Sequence, residues 1–339
     1  MPAREWWRVW GGVLVLLAIV TGNEALAWQF VAYGDMPYYP QKPDCPDDAA
    51  ILKDRIAPEI RQRTDVPFVL HVGDTGRPEV ACSDTWLAQI NDFWETTLQK
   101  PVLFTPGDND WTDCDRPPTR VSELARLDAM RQVFFREPTP LGPEWADREY
   151  ERQVEFPENA MWRYAGVLFV TVHIVGTENG RDQILLDPPD RALALVQARD
   201  TANRDWLDRA FALATENDIS ALVVVTHADM FNTDAPGATG FERCQNQPAF
   251  AAYCEMLRQR GAALSKPVLL LHGDTDAYCL DQPFLGMGTQ LMWRLNAPGD
   301  CKDIDAVVVS VQAANPTRPF EAKGLLSGKA VPGTCNERQ

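Results

Sequence analysis

The chain is 339 residues long, with Lys+Arg 32 against Asp+Glu 48 and a formal net charge of −16. Such a charge repels nucleic acid and anionic membrane surfaces, so neither is expected as a partner. The length suits one large α/β domain with a substantial core, and neither solenoid repeats nor low-complexity tracts interrupt it.

First in chain order comes a targeting segment. Arg4 and Arg8 give a weakly positive start, Val13 to Val20 is nearly unbroken apolar sequence, and Ala25-Leu26-Ala27 offers a small-residue cleavage site. Residues 1–27 therefore read as a secretory signal peptide, too short for a comfortable membrane span. The mature protein is expected to begin at Trp28 and to be secreted or periplasmic, with an uncleaved membrane anchor as the alternative. Eight cysteines without a C-x-x-C pair agree with an oxidising compartment and predict disulfides rather than structural zinc. Closeness in sequence suggests Cys244–Cys254 and Cys279–Cys301.

A short buried strand over Phe30–Tyr33 follows, then helical spacing from Asp47 to Arg63 and a strand at Phe68–Val72. Ser83 caps a predicted helix to Leu98, whose Trp86, Leu87, Ile90 and Trp94 form a stripe that reads as core packing. Strand Val102–Thr105, a helix near Val121–Phe135 and a Pro-rich connection from Pro138 to Pro143 come next. Strands are expected around Arg152–Phe156 and Val167–Ile174, a helix over Asn203–Thr215, and buried strands at Ala221–Thr226, Val268–Leu271 and Ala306–Val311. The later strands show no helices between them, which suggests a second sheet. Periodicity fades at Lys323, so residues 28–322 are read as one domain and 323–339 as an irregular tail.

Four of these strands end in Gly-Asp: Gly34-Asp35, Gly73-Asp74, Gly107-Asp108 and Gly273-Asp274. A fifth, Ala221–Thr226, delivers His227 in the same way. In open α/β sheets the ligand crevice lies at the strands' carboxyl ends. Carboxylates gathered there repel one another unless a cation sits among them, so the natural occupant is a metal ion. Any single Gly-Asp is an ordinary turn, and Gly299-Asp300 reads as just that. The repetition at strand ends, with a matching His, is what favours a site.

These stretches resemble the calcineurin-like metallophosphoesterase family, in a secreted bacterial-type member with degenerate metal-site motifs. The family's succession of D-x-H, G-D, G-N-H-D/E, a lone His and G-H-x-H corresponds to Asp35-Met36-Pro37, Gly73-Asp74, Gly107-Asp108-Asn109-Asp110, Thr226-His227 and Gly273-Asp274-Thr275-Asp276. The resemblance implies a four-layer αββα sandwich of two mixed sheets with a two-metal site between them. It also implies hydrolysis of a phosphomonoester or phosphodiester by metal-activated water, on a small-molecule or macromolecular substrate.

Carried over residue by residue, Asp35, Asp74, Asp108, His227, Asp274 and Asp276 are the candidate metal ligands. Asp74 stands at the bridging position. Asp74, Asp108, His227 and Asp274 would hold one ion; Asp35, Asp74 and Asp276 would hold a weakened second. Pro37 replaces a ligand His and has no donor atom. Carboxylates in place of imidazoles shift preference from zinc toward Mn²⁺ or Mg²⁺. Asn109 occupies the family's catalytic His position and cannot titrate near neutrality, whereas Asp110 matches the acid that would orient that His. His272 is the candidate stand-in, with His71 behind it, although both read more naturally as core, as does His173. Trp111 could wall the crevice; Asn159 and Asn179 could contact ligand or form turns, and Asn179 favours a turn. The rival to an enzyme is a protein of this fold that has lost catalysis and serves as a binding or interaction module.

Overall fold

The computed structural model describes residues 28–38, 44–136, 149–233, 237–275 and 278–335. The predicted signal segment, the Pro138–Pro143 connection and Asp276 lie outside the described residues.

The layering follows from the two-residue period of the strands. In β1 (Gln29–Tyr33), Phe30 and Ala32 point to one face while Val31 and Tyr33 point to the other. Phe30 and Ala32 join an inter-sheet core with Phe169, Val223 and Leu269. Val31 and Tyr33 instead pack against Leu52, Ile56, Leu87, Ile90 and Trp94 of the covering helices. On the opposite side, Leu168, Val170, Leu222 and Val224 pack against Trp206, Leu207 and Phe211 of helix Pro189–Leu213 and against Tyr253 and Leu257 of helix Ala251–Ala263. The result is helix, sheet, sheet, helix. Phe68 anchors the middle, meeting Trp162, Tyr164 and Phe169 edge-on at centroid distances of 5.8, 5.7 and 5.2 Å. Edge-to-face pairs of this kind contribute about 0.5–1.5 kcal/mol beyond their area burial.

The first sheet contains β1, β2 (Val69–His71), β3 (Val102–Phe104), β11 (Val307–Val311) and β12 (Phe320–Gly324), in the order β12-β11-β1-β2-β3. In it β1, β2 and β3 are parallel and β11 and β12 antiparallel. The second contains β4 (Glu151–Arg152), β5 (Ala160–Tyr164), β6 (Val167–Thr171), β7 (Ala221–Val225), β8 (Val268–His272), β9 (Cys279–Asp281) and β10 (Met292–Asn296). Its order is β4-β5-β6-β7-β8-β10-β9, with β6, β7, β8 and β10 parallel. Both sheets are therefore mixed, and the Gly-Asp and His turns all leave parallel strands.

Several expectations need correction. The strand expected at Arg152–Phe156 ends at Arg152, and the run Ala160–Tyr164, buried over its first three residues, is the strand that pairs with β6. The helix expected at Asn203 starts at Pro189, and helices Gly240–Gln245 and Ala251–Ala263 separate β7 from β8. The boundary at Lys323 falls inside β12, and Lys323 also bridges Ala330. Cys244–Cys254 is a disulfide, but Cys279–Cys301 is not: Cys301 bonds Cys45, Cys279 bonds Cys335, and Cys82 bonds Cys114. Among the described residues no helix is long and apolar enough to cross a membrane.

Candidate metal centre

Each Gly-Asp turn redirects the chain within two residues of its strand, and three of the four aspartates take the left-handed region to do so. Asp35, Asp74 and Asp274 have φ of 51°, 56° and 72°. An L-residue there costs about 1–2 kcal/mol, a strain that persists where the surroundings over-determine it and that clusters at ligand sites. Gly73, at φ 102°, makes close approach possible: a Cβ on it would strike the His227 ring and come within 2.7 Å of the Gly107 nitrogen. A Cβ on Gly107 would in turn collide with the Asp74 carboxylate. Only glycine lets these three turns touch.

His227 is fully buried at the meeting point. Its Nδ1 lies 2.7 Å from the Val72 carbonyl, and an N–H donated there turns the Nε2 lone pair toward the carboxylates. Nε2 faces Asp108 Oδ1 at 3.3 Å, Asp74 Oδ1 at 3.5 Å and Asp274 Oδ1 at 3.7 Å. Asp274 is tied to Asp35, whose carboxylate accepts the Asp274 N–H at 3.1 Å. The structure thus brings Asp35, Asp74, Asp108, His227 and Asp274 together from five strand ends on two sheets.

Burial and mutual repulsion dominate the electrostatics. Burial, reinforced by the charge of Asp300, pushes Asp35 up to about 7. Burial and neighbouring carboxylates raise Asp74 and Asp274 well above the usual range. Burial alone would raise Asp108, yet the His227 hydrogen bond and charge, the Thr177 hydroxyl and Arg116 hold it below the ordinary value. For His227 burial works downward, but Asp74, Asp108, Asp274 and Asp35 overcome it and raise the imidazole well above its ordinary value. Positive charge is what this cluster favours.

The donor set fits divalent cations. Ligand atoms of Asp35, Asp74 and His227 lie within 4.8 Å of one another, as do those of Asp108, His227 and Asp274. One imidazole nitrogen serves one cation, so the two groups are adjoining positions that share a wall.

Other residues belong to the site that the sequence did not disclose. The Tyr38 hydroxyl donates to Asp74 Oδ2 at 2.7 Å and lies 3.2 Å from Asp35 Oδ1, where Pro37 leaves no side-chain donor. One aromatic beyond a proline carries no periodic signal, so nothing in the sequence marked it. Asp229, two residues after His227, donates its N–H to Asp274 Oδ2 at 3.1 Å and accepts the Thr275 hydroxyl at 2.8 Å. Gly299-Asp300 is more than a plain turn: the Asp300 N–H donates to the Asp35 carbonyl at 3.1 Å, and Gly299 packs on Gly34 and Asp35.

Asn109 sits among these groups, its backbone N–H on Asp74 Oδ1 at 3.0 Å and its side-chain amide on the Tyr38 hydroxyl at 3.2 Å. Asp110 is fully buried and accepts four hydrogen bonds from Asp74, Thr75 and Gly107. His272 is buried in β8 with Nδ1 3.0 Å from the Gly273 carbonyl, and burial lowers its pKa. None of its hydrogen bonds among the described residues reaches the five converging side chains. His71 and His173 are buried as expected. Trp111 does not wall the crevice; it is buried against Arg199 and His173. Asn159 holds the His173 N–H and Asn203 inside the second sheet's helical layer.

No protein-family model and no curated protein matches the chain. Among solved structures, PhoD is similar with a TM-score of 0.52, covering 91% of this chain and 72% of that chain at 11% identity. The fold is metallophosphatase-like.

On this fold two of the disulfides brace the centre. Cys82–Cys114 ties the turn after β2 to the turn after β3, with its sulfurs 3.6 and 3.7 Å from the Asn109 carbonyl. Cys45–Cys301 holds the segment carrying Asp300 against Asp35. Four disulfides fit an extracytoplasmic protein.

Proposed function

We propose that the protein is an extracytoplasmic, metal-dependent phosphoesterase. The observation that carries this reading is the pair of adjoining ligand groups built around His227 from the strand ends of both sheets. Asp35, Asp74, Asp108, His227 and Asp274 would hold divalent cations there, which would supply the charge to activate water and neutralise phosphoryl oxygens. Asp74 suits the shared wall, because Oδ1 faces His227 and Asn109 while Oδ2 faces Tyr38 on the Asp35 side. Val72 keeps the His227 ring in one orientation, and Asp229 keeps Asp274 in another. With four aspartates to one imidazole, the donors favour Mn²⁺ or Mg²⁺ over Zn²⁺. Asn109 has no proton to give a leaving group, so esters of acidic alcohols and phenols are the best substrates.

The test is metal content of protein purified without chelator, paired with hydrolysis of p-nitrophenyl phosphate and bis(p-nitrophenyl) phosphate. Bound divalent metal with turnover of either ester supports the reading. Bound metal without turnover, or no metal above background and no turnover, removes the enzyme reading and leaves the binding or interaction module in its place.

A further inference from the structure

Arg116 lies beside the metal centre without belonging to it. Its Nη1 donates to Asp113 Oδ2 at 2.6 Å and its Nη2 to Thr177 Oγ1 at 3.1 Å. That hydroxyl oxygen is itself 3.0 Å from Asp108 Oδ2 and 2.8 Å from Asp113 Oδ1. One hydroxyl group therefore separates the guanidinium from a carboxylate of the centre. Arg116 is 29% exposed; its Nε is buried without a partner among the described residues, so the donors open to a ligand are the remaining N–H groups of Nη1 and Nη2. Of the five N–H groups of a guanidinium, the contacts above engage two.

The turn that presents Thr177 is built at some cost. Thr177, Glu178 and Asn179 all lie in the left-handed region, with φ of 53°, 52° and 54°. Asn179 pins the turn from behind: Oδ1 accepts the Val175 N–H at 3.3 Å and Arg199 Nη2 at 2.8 Å, while Nδ2 donates to Asp200 Oδ1 at 2.8 Å. Gly176 leads in against the Asp108 and Asp274 carboxylates, where no side chain fits. Three strained residues held this firmly next to a ligand-binding centre mark a designed contact rather than a loose loop.

Charge balance shows what the contact is for. Four aspartates offset two divalent cations, leaving the loaded centre little net charge with which to hold a dianion. Arg116 brings guanidinium N–H donors to the rim on the Asp108 side, and Asp113 pairs with it, offsetting its charge and fixing the plane of its fork. A guanidinium fork matches phosphate oxygens in pairs, which an ammonium cannot do.

We propose that Arg116 is the specificity-determining residue that takes the non-bridging oxygens of a phosphomonoester dianion, making monoesters the favoured substrate class over diesters. The proposal rests on the phosphoesterase reading. A diester has one fewer charge and one fewer free oxygen, so it gains less from this fork.

The experiment uses Mn²⁺-loaded full-length protein and its Arg116→Gln and Arg116→Lys variants. It measures kcat and KM for p-nitrophenyl phosphate and bis(p-nitrophenyl) phosphate, inhibition by inorganic phosphate, and bound Mn²⁺. In Arg116→Gln, monoester KM and the phosphate inhibition constant rise about tenfold or more, the size of a lost charge-assisted hydrogen bond, while diester KM moves less than about threefold. Arg116→Lys falls between, and bound Mn²⁺ is unchanged in both. Because Arg116→Gln strands Asp113, the double variant Arg116→Gln/Asp113→Asn removes both charges together and gives the same pattern if the first fails to fold. Equal loss for both esters with unchanged phosphate inhibition overturns the proposal, as does a parent enzyme that prefers the diester. A parent that binds Mn²⁺ but hydrolyses neither ester, or binds none, sinks the phosphoesterase reading itself and this proposal with it.

Discussion

Asp110 holds the backbone of Asp74: Oδ2 accepts the Asp74 N–H at 2.9 Å and the Gly107 N–H at 2.8 Å. Oδ1 takes the Thr75 N–H at 2.9 Å and its hydroxyl at 2.7 Å. A buried carboxylate so occupied is a positioning group for the left-handed turn at Asp74. Asp110→Asn puts an amide NH₂ where an oxygen accepted N–H donors, leaving at least one buried donor unpaired at a cost of about 1–3 kcal/mol. The expected result is a lower denaturation midpoint together with weaker metal binding, read by urea unfolding and metal titration. Loss of stability with metal affinity intact would show that Asp110 does not set the geometry of Asp74.

Asp74→Asn removes a charge from the wall shared by both ligand groups. Bound metal should fall and phosphoester turnover should be abolished, measured by elemental analysis and p-nitrophenyl phosphate hydrolysis. In the parent protein, Mn²⁺ or Mg²⁺ should raise the melting temperature, by about 2.7 kcal/mol of stabilisation at a hundredfold excess over the dissociation constant. Better activity with Zn²⁺ than with either would contradict the oxygen-rich donor argument.

Acid should expose the buried neutral histidines. Burial lowers His71 to about 3 and His173 to about 4, from an ordinary 6.5. Below pH 6.5 the unfolded chain binds protons that the folded chain does not, so their contribution to stability falls as pH drops through that window and is absent above it. Asp35, raised to about 7, works oppositely, because the folded state then holds the extra proton. The comparison is therefore a difference: stability of the parent minus that of His71→Gln should decrease steadily from pH 6.5 toward 4. A difference independent of pH would mean that His71 is charged in the folded state.

The disulfides are not equivalent. Replacing Cys82 and Cys114 by Ser frees the turns that carry Asp74 and Asn109 and should weaken metal binding. Removing Cys244 and Cys254 should leave metal affinity unchanged, since that short loop packs in the outer helical layer. Equal metal affinity in the two double variants would refute the bracing argument.

What the sequence disclosed was local. Short apolar runs with Gly-Asp ends identify β1, β2, β3 and β8, because burial on both faces removes polar residues and the turn needs Gly at Gly73 and Gly107. Strand β5, second from the edge, escaped because Arg163 and Tyr164 are only half-buried and its pattern lacks a continuous apolar run. Contacts between distant segments were not legible. Cys45 and Cys301 are 256 residues apart, and the segment carrying Cys301 reaches the β1 turn, where Gly299 packs on Gly34. Tyr38 carries no glycine or periodic signature, so only the assembled centre reveals it; the turn at Asn179 was legible in the sequence, but the contact of Thr177 with Asp108 was not.

Asn109→His tests the missing proton donor. The Asn109 amide reaches the Tyr38 hydroxyl, so an imidazole there would stand at the edge of the centre, beside carboxylates that favour its protonated form. Asp110 cannot orient it, because both its oxygens already hold backbone donors from the neighbouring turns. The gain should therefore lie below the roughly 10²–10⁴-fold of a well-positioned acid. An increase of about tenfold is expected for an alkyl phosphate, whose leaving group needs a proton, against little change for p-nitrophenyl phosphate. The alkyl rate should also acquire a descending limb at high pH as the new imidazole loses its proton. An equal effect on both leaving groups, with no new limb, would place residue 109 outside the path of the proton.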